Sequence, residues 1–520
     1  MDAALDKLLS RYLEAANTIA HTSVPGLELP DPSDPRPGDE PHHPDKDPQA
    51  RAVDELLRRQ AGLLVQMHKA AATLKADQCR DDPQTAQAAR RLLQRRLDDV
   101  ASMAMTRFYS CRFDRVPYHW RCLYTDVLIL VTHLHALTSL RAHGQLDHGT
   151  LDLIVDRLDR ALITTGGVGR LGAPWIEKTL TLLEEACIRR DEAEQQSRWT
   201  ETASTFSDHE PYQRPPLSSD PDRTCPRYRG WTLDMFERYM NDSPDGPKPV
   251  VFTDLIDDWP ALKQRPWRQP DYLLSRTIGG RRLVPVEVGR SYVDDGWGQE
   301  LIQFRHFLDK YVRRCSSTES PPHEGAPSEQ ARGEGQGQGQ GRGQVGYLAQ
   351  HDLFRQIPSL RNDISIPDLC WSAVPPHPTT PSKNQRPVEE PQLNAWFGPA
   401  KTITPLHNDG YHGLLVQVVG TKYVRLYPPQ APAECMRPRP AENGVDMSNT
   451  SELDVGVLEG WDEPPAAMSA ATVAGMKRRL DGVAYRECVL SPGDALVIPI
   501  GWWHYVRSLS VSFSVSFWWN

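Results

Sequence analysis

Residues 394–429 read NAWFGPAKTITPLHNDGYHGLLVQVVGTKYVRLYPP. Apolar residues alternate or run together through LLVQVV and KYVRLY, with Gly and Pro between the runs. That pattern predicts short strands joined by tight turns. His407 and Asp409 stand two apart, and residues two apart on a strand share a face. An imidazole and a carboxylate on one face make two-thirds of a facial triad for non-haem iron(II). The missing imidazole is expected from a distant strand, and His504 supplies it within residues 497–520, VIPIGWWHYVRSLSVSFSVSFWWN. Iron is preferred to zinc because two neutral imidazoles and one carboxylate leave positions open, whereas structural zinc closes at four ligands. Lys422 follows at the head of KYVRLY. A cation at that depth in a strand needs an anionic partner, because burying an unpaired charge is costly. The carboxylate of 2-oxoglutarate is one such partner.

A lone His in a β-rich core is ordinarily a satisfied core residue. Here the order of HxD, a Lys fifteen residues after His407, WWHYV and a terminal SFSVSFWW resembles the JmjC branch of the 2-oxoglutarate and iron(II) oxygenases. Within that branch, NAWFGP, TPLH, LVQVVG, KYVRLY, NTSELDV, LSPGD and HYVRSL resemble the lysine demethylase eight subgroup, also described as an arginyl hydroxylase. VPVEVGRSY, VGYLAQHDLFRQIP and NDISIPD upstream resemble the same subgroup, so the likeness covers roughly residues 226–520. It implies a double-stranded β-helix, the cupin-like jelly roll, with Fe(II) and O2 at the metal and 2-oxoglutarate as cosubstrate. It also implies release of succinate and CO2 as a substrate C–H bond is oxidised.

By the same resemblance, Lys422 pairs with the far carboxylate of 2-oxoglutarate, and Thr404 and Tyr347 hydrogen-bond it. Trp518 and Trp396 match pocket-lining aromatics, on the cosubstrate and substrate sides. Glu287 and Trp297 match the arginyl-hydroxylase pattern, with Tyr292 between them; a carboxylate can hold a guanidinium by paired hydrogen bonds. The chain departs from the family at Gly413, where an Asn amide usually contacts 2-oxoglutarate. A lost hydrogen bond to a charged group is worth roughly 1.5–3 kcal/mol.

The chain has 520 residues, enough for more than one domain. A net charge of −9 argues against a uniformly basic nucleic-acid binder. Nine scattered cysteines without a CxxC pair read as reduced thiols, and the N-terminus lacks an apolar signal core. The most apolar run, Val127–Val131, is far shorter than the roughly 20 residues that span a bilayer. A soluble nuclear or cytoplasmic protein is expected.

The pattern predicts an α+β chain. A helix at 1–21 precedes a Pro- and Asp-rich linker at 22–48, whose His42 and His43 are read as solvated. Residues 49–200 carry helical periodicity without a clear repeat and predict an irregular α-helical domain. Its GVGRLG at 167–172 leaves a helix rather than a strand, so it is read as a helix–helix turn and not as a dinucleotide fingerprint. A polar linker is expected at 201–225 and the JmjC domain at 226–520. Within it, a helix is predicted over Leu301–Val312, a disordered Gly/Gln-rich insertion at 316–344 and a Pro-rich loop at 376–390.

Three functions follow. The first is hydroxylation of a protein side chain, arginine foremost. The second is histone N-methyl-lysine demethylation. The third is a weakly active scaffold that binds a protein partner, with Gly413 as its supporting feature. The partner is a protein or peptide, Arg-containing or a histone tail. No nucleic-acid reader or membrane segment is expected, and the helical domain offers a surface for a further protein.

Overall fold

The computed structural model describes residues 3–25, 27, 47–73, 83–112, 115–195, 205–244, 246–294, 296–313, 345–441, 446–464 and 468–520. Most of the 22–48 linker, His42 and His43, and the Gly/Gln-rich insertion lie outside them. The chain divides into two compact units. One comprises Met1–Thr200 with Ser275–Leu283, the other Glu201–Leu274 with Val284–Asn520.

The first unit is helical: Ala3–His21, Pro48–Thr73, Pro83–Ser110, Tyr118–His143, His148–Thr165 and Gly172–Gln195. The first, second, third and fifth helices pack on Tyr118–His143, which is buried nearly all round, and the sixth packs on the fifth and first. A helix apolar on every side belongs in a core or a bilayer. The short run Val127–Val131 is the middle of this 26-residue helix, long and apolar enough to cross a membrane by composition, with 89% of the relevant window buried within the unit. Asp147 caps the next helix by accepting from Thr150 N, and Gly166 ends it at φ 73°. The GVGRLG stretch is a turn between helices, as its position after a helix implied. A Cβ at Gly167 would lie 2.9 Å from Ala173 and Leu162. Within the same unit, buried Arg282 forks onto buried Asp159, with Nη2 to Oδ1 at 2.7 Å, and Leu283 N donates to that carboxylate at 2.8 Å.

The second unit is built on strands β1 (Arg227–Tyr228), β2 (Val250–Phe252), β3 (Leu283–Val288), β4 (Gly298–Gln303), β5 (Gly346–His351), β6 (Gln392–Gly398), β7 (Ile403–His407), β8 (His412–Val419), β9 (Lys422–Tyr427), β10 (Arg486–Leu490), β11 (Ala495–Ile498), β12 (Trp503–Ser508) and β13 (Ser512–Trp519). One sheet runs β1-β2-β11-β8-β13-β6-β5-β3-β4, the other β10-β9-β12-β7. Strands far apart in sequence are neighbours in both sheets, as a jelly roll requires. The smaller sheet lies between two apolar clusters. One holds Val424, Leu426 and Val506; the other holds Tyr423, Tyr427 and Tyr505.

Two expectations are corrected here. Leu301–Val312 is not one helix: β4 continues to Gln303, a short helix spans Phe304–Phe307, and a wider turn covers Leu308–Val312. The described part of the 201–225 segment is not a free linker. Phe206 is buried in the core of this unit, edge-on to Phe397 at 5.5 Å, and Ser218 N donates to Glu487 at 2.6 Å. One aromatic was enough to dock a segment whose average polarity suggested otherwise.

A buried carboxylate ties the loops to the sheet. Asp363 is fully buried and accepts from Trp267 Nε1 at 3.0 Å, Tyr272 Oη at 2.7 Å and Arg265 Nη1 at 3.1 Å. Trp267 in turn packs on Phe513 of β13, with centroids 4.6 Å apart. Asp363→Ala removes the acceptor these donors share, leaving buried Trp267 Nε1 without it, and is expected to cost about 3–5 kcal/mol in denaturant unfolding. Asp363→Asn, which keeps an acceptor oxygen, is expected to lose less.

Candidate active site

β12 runs antiparallel to β7 with His504 directly opposite His407, and their ring centroids are 4.1 Å apart. The register then shifts. Val506 pairs with Thr404, so two steps on β12 match three on β7. The extra residue is a β-bulge around Pro405 and Leu406. Proline has no N–H to lose at such a place, and bulges re-aim side chains. Thr404 and His407, three apart, would face opposite sides of a regular strand, yet both line one cavity. The bulge accounts for that.

Asp409 corrects the sequence expectation. β7 ends at His407, so the aspartate lies in the following loop and not on the strand. Three backbone bonds hold the loop: Asn408 N donates to Asn449 O at 2.8 Å, Gly501 N donates to Asp409 O at 3.3 Å, and Gln385 N donates to Gly410 O at 3.2 Å.

Both imidazoles are oriented by a carbonyl two residues earlier. His407 Nδ1 lies 2.8 Å from Pro405 O, and His504 Nδ1 lies 3.0 Å from Trp502 O. Only a protonated nitrogen can bond to a carbonyl oxygen, so Nε2 keeps its lone pair in each ring. Asp409 Oδ1 is 3.7 Å from His407 Nε2, and Oδ2 is 3.6 Å from His504 Nε2. The three ligand atoms all lie within 4.8 Å of one another. Ligands about 2.1 Å from one metal, at right angles, stand roughly 3 Å apart, so the set fits a first-row metal after a small inward movement. Burial, and then His407, pushes the His504 pKa down to about 4 against the pull of Asp409. The neutral ring is the ligating form.

Tyr347, Thr404, Lys422, Trp396 and Trp518 line the same cavity as the triad. Lys422 is buried, and its Nζ donates to Tyr347 Oη at 3.2 Å. No carboxylate among the described residues pairs with it. Burial lowers its pKa to about 7. Burial raises the Tyr347 pKa, with the nearby Thr404 hydroxyl pulling the other way. Gly413 lines the cavity with no side chain. Neighbouring His412 does not replace a missing amide. Its Nε2 donates to Pro375 O at 2.8 Å, and its Nδ1 accepts from Ile500 N at 3.3 Å.

Glu287, Tyr292 and Trp297 are not among the residues lining that cavity. Glu287 pairs across β3 and β5 with Tyr347. Burial raises its pKa, with the Trp297 indole pulling the other way without completing a hydrogen bond. Tyr292 lies 3.4 Å from Thr450 Oγ1 and feels the Asp409 and Glu287 charges. The trio therefore stands beside the Tyr347 and Asp409 wall. Ser516, which accepts from Trp396 Nε1 at 2.9 Å, also lines the cavity and escaped the sequence reading. The period-two serines of SFSVSFWW, sharing a face with Trp518, were the signal for it.

A family model for a cupin-like domain matches residues 234–520. Lysine-specific demethylase 8 of Danio rerio is 38% identical over 301 residues, 58% of this chain and 59% of that protein. Lysine-specific demethylase 8 of Xenopus tropicalis is 37% identical over 273 residues, 52% and 48% of the two chains. Lysine-specific demethylase JMJ30 of Arabidopsis thaliana is 37% identical over 297 residues, 57% and 56%. The chain spans about half the length of these curated relatives.

His504→Ala or Asp409→Ala is expected to weaken Mn(II) binding at least roughly 100-fold, since groups that merely orient ligands are already worth 10–100-fold. The free-ion electron paramagnetic resonance signal measures this, with circular dichroism checking the fold.

Proposed function

This chain belongs to the cupin-like JmjC family, and from that premise we propose that it is a 2-oxoglutarate- and iron(II)-dependent oxygenase that demethylates lysine side chains of a protein. One observation carries the oxygenase reading: a single cavity holds three converging metal ligands and a buried cation without a counter-ion among the described residues. Iron(II) with 2-oxoglutarate and O2 supplies, when bound, the oxidising chemistry that a protein chain lacks. The chain's own residues bind, orient and exclude. His407, Asp409 and His504 would hold the metal. Lys422, steadied by Tyr347, takes the far carboxylate of the cosubstrate, and Thr404 adds a hydroxyl. Trp396 and Trp518 wall the cavity, which keeps water from a reactive centre.

The lysine substrate follows the names of the relatives, which support it better than the arginine reading placed first on sequence grounds. The charge beside the cavity suits it. Glu287 is partly buried with no ion-pair partner among the described residues. An unpaired acid there favours a cationic side chain, and Tyr292 and Trp297 offer aromatic faces of the kind that bind methylated ammonium groups. A second reading, hydroxylation of arginine, is favoured by Glu287 alone, because a carboxylate matches a guanidinium by two parallel hydrogen bonds.

Lys422→Ala is expected to weaken 2-oxoglutarate binding at least roughly 100-fold, as loss of one partner of a buried charge pair costs about 3–5 kcal/mol. Calorimetry on the Mn(II)-loaded protein measures it. The pH dependence has a definite sign. The free-site Lys422 pKa is about 7, below its unfolded value, and an anion favours the charged form. Binding is therefore expected to be strongest below about pH 7 and to weaken, with proton uptake, as pH rises past it. For the reaction, mass spectrometry of matched methyl-lysine and arginine peptides with enzyme, iron(II) and 2-oxoglutarate is expected to show methyl loss with formaldehyde. Oxygen gained at arginine, without formaldehyde, would turn the assignment to the second reading.

A further inference from the structure

Gly413 sits inside β8, an eight-residue strand, paired in regular register with Ile498 of β11 and Trp518 of β13. Glycine in a strand interior costs roughly 0.5–1 kcal/mol relative to alanine. Three structural needs usually justify it: a positive φ, a bulge, or close approach of something else. The first does not apply, because Gly413 is not among the positive-φ residues. The second does not apply, because the β8–β13 register shift lies at Phe513 and Ser514, at the far end of the strand. Close approach by protein does not apply either. A Cβ at Gly413 would meet Trp518 Cδ1 at 3.6 Å, Trp518 Nε1 at 3.7 Å and Ile498 Cβ at 3.8 Å, all ordinary contacts. Neither backbone nor packing requires glycine here, so the space serves what enters the cavity.

Two of the three nearest atoms around that space are carbon, and the third is one indole nitrogen. A trapped water needs two to four polar partners, so an apolar group suits it better. Lys422, the triad and Gly413 line one cavity, the one proposed to take a 2-oxo diacid. We infer that Gly413 is a specificity-determining residue that lets the cavity accept a 2-oxo diacid carrying a methyl branch on its carbon chain. This rests on the oxygenase reading.

The test is calorimetric titration of the Mn(II)-loaded full chain, which binds without turnover, with 2-oxoglutarate and with 3-methyl-2-oxoglutarate. Wild type is expected to bind the branched acid within about tenfold of 2-oxoglutarate. Gly413→Ala, whose Cβ fits without clash, is expected to shift the preference toward 2-oxoglutarate by about fivefold or more. Protein that binds 2-oxoglutarate but discriminates against the branched acid more strongly than that overturns the inference and leaves the oxygenase reading intact. So does an alanine variant with a smaller shift in preference. Protein that binds neither acid overturns both.

Discussion

The antiparallel pairing of β12 with β7 places His504 opposite His407, and every other feature of the site is arranged around that pair. Directly opposite residues in an antiparallel ladder have Cβ atoms about 4.5–5.5 Å apart, close enough for two rings to share one ion. Each ring is then fixed by a backbone carbonyl two residues back, which decides the tautomer and turns Nε2 toward Asp409. The bulge at Pro405 and Leu406 lets Thr404 join the same cavity. A slip by one residue would turn either histidine to the other face of the sheet.

β9 shows how strand parity sorts charge. Lys422 faces the cavity, where no carboxylate among the described residues pairs with it. Arg425, three residues on, faces the opposite side. There it bonds Glu487 at 3.1 Å, pairs with Glu459, and lies over Tyr485 with its guanidinium carbon 4.5 Å from the ring centroid. Both cations are buried. One is neutralised within the fold and is structural. The other has no such partner among the described residues, and burial alone brings its pKa toward neutrality. Glu287, which has no ion-pair partner among the described residues, stands outside the cavity beside the Tyr347 wall. The two charges, one inside the cavity and one next to it, are thus of opposite sign and at separate places.

Much of this was legible along the chain. The alternation in LLVQVV and KYVRLY determined strands, and the order of His407, Asp409, Lys422 and His504 determined a candidate metal and anion site, because residue type and period-two spacing are local properties. Three matters were decided only by tertiary structure. Asp409 lies off its strand and reaches the metal point through a loop bonded to Asn449 and Gly501, partners far away in sequence. The 205–225 segment, polar on average, docks through Phe206 because burial of one aromatic depends on what it meets. The meaning of Gly413 is the clearest case. The family resemblance reads it as a missing amide. Only its φ, its regular register and the ordinary distances to Trp518 and Ile498 show that the protein itself has no need of glycine there. A sequence specifies which side chains exist and how they alternate, but the space beside them is set by strands that arrive from elsewhere in the chain.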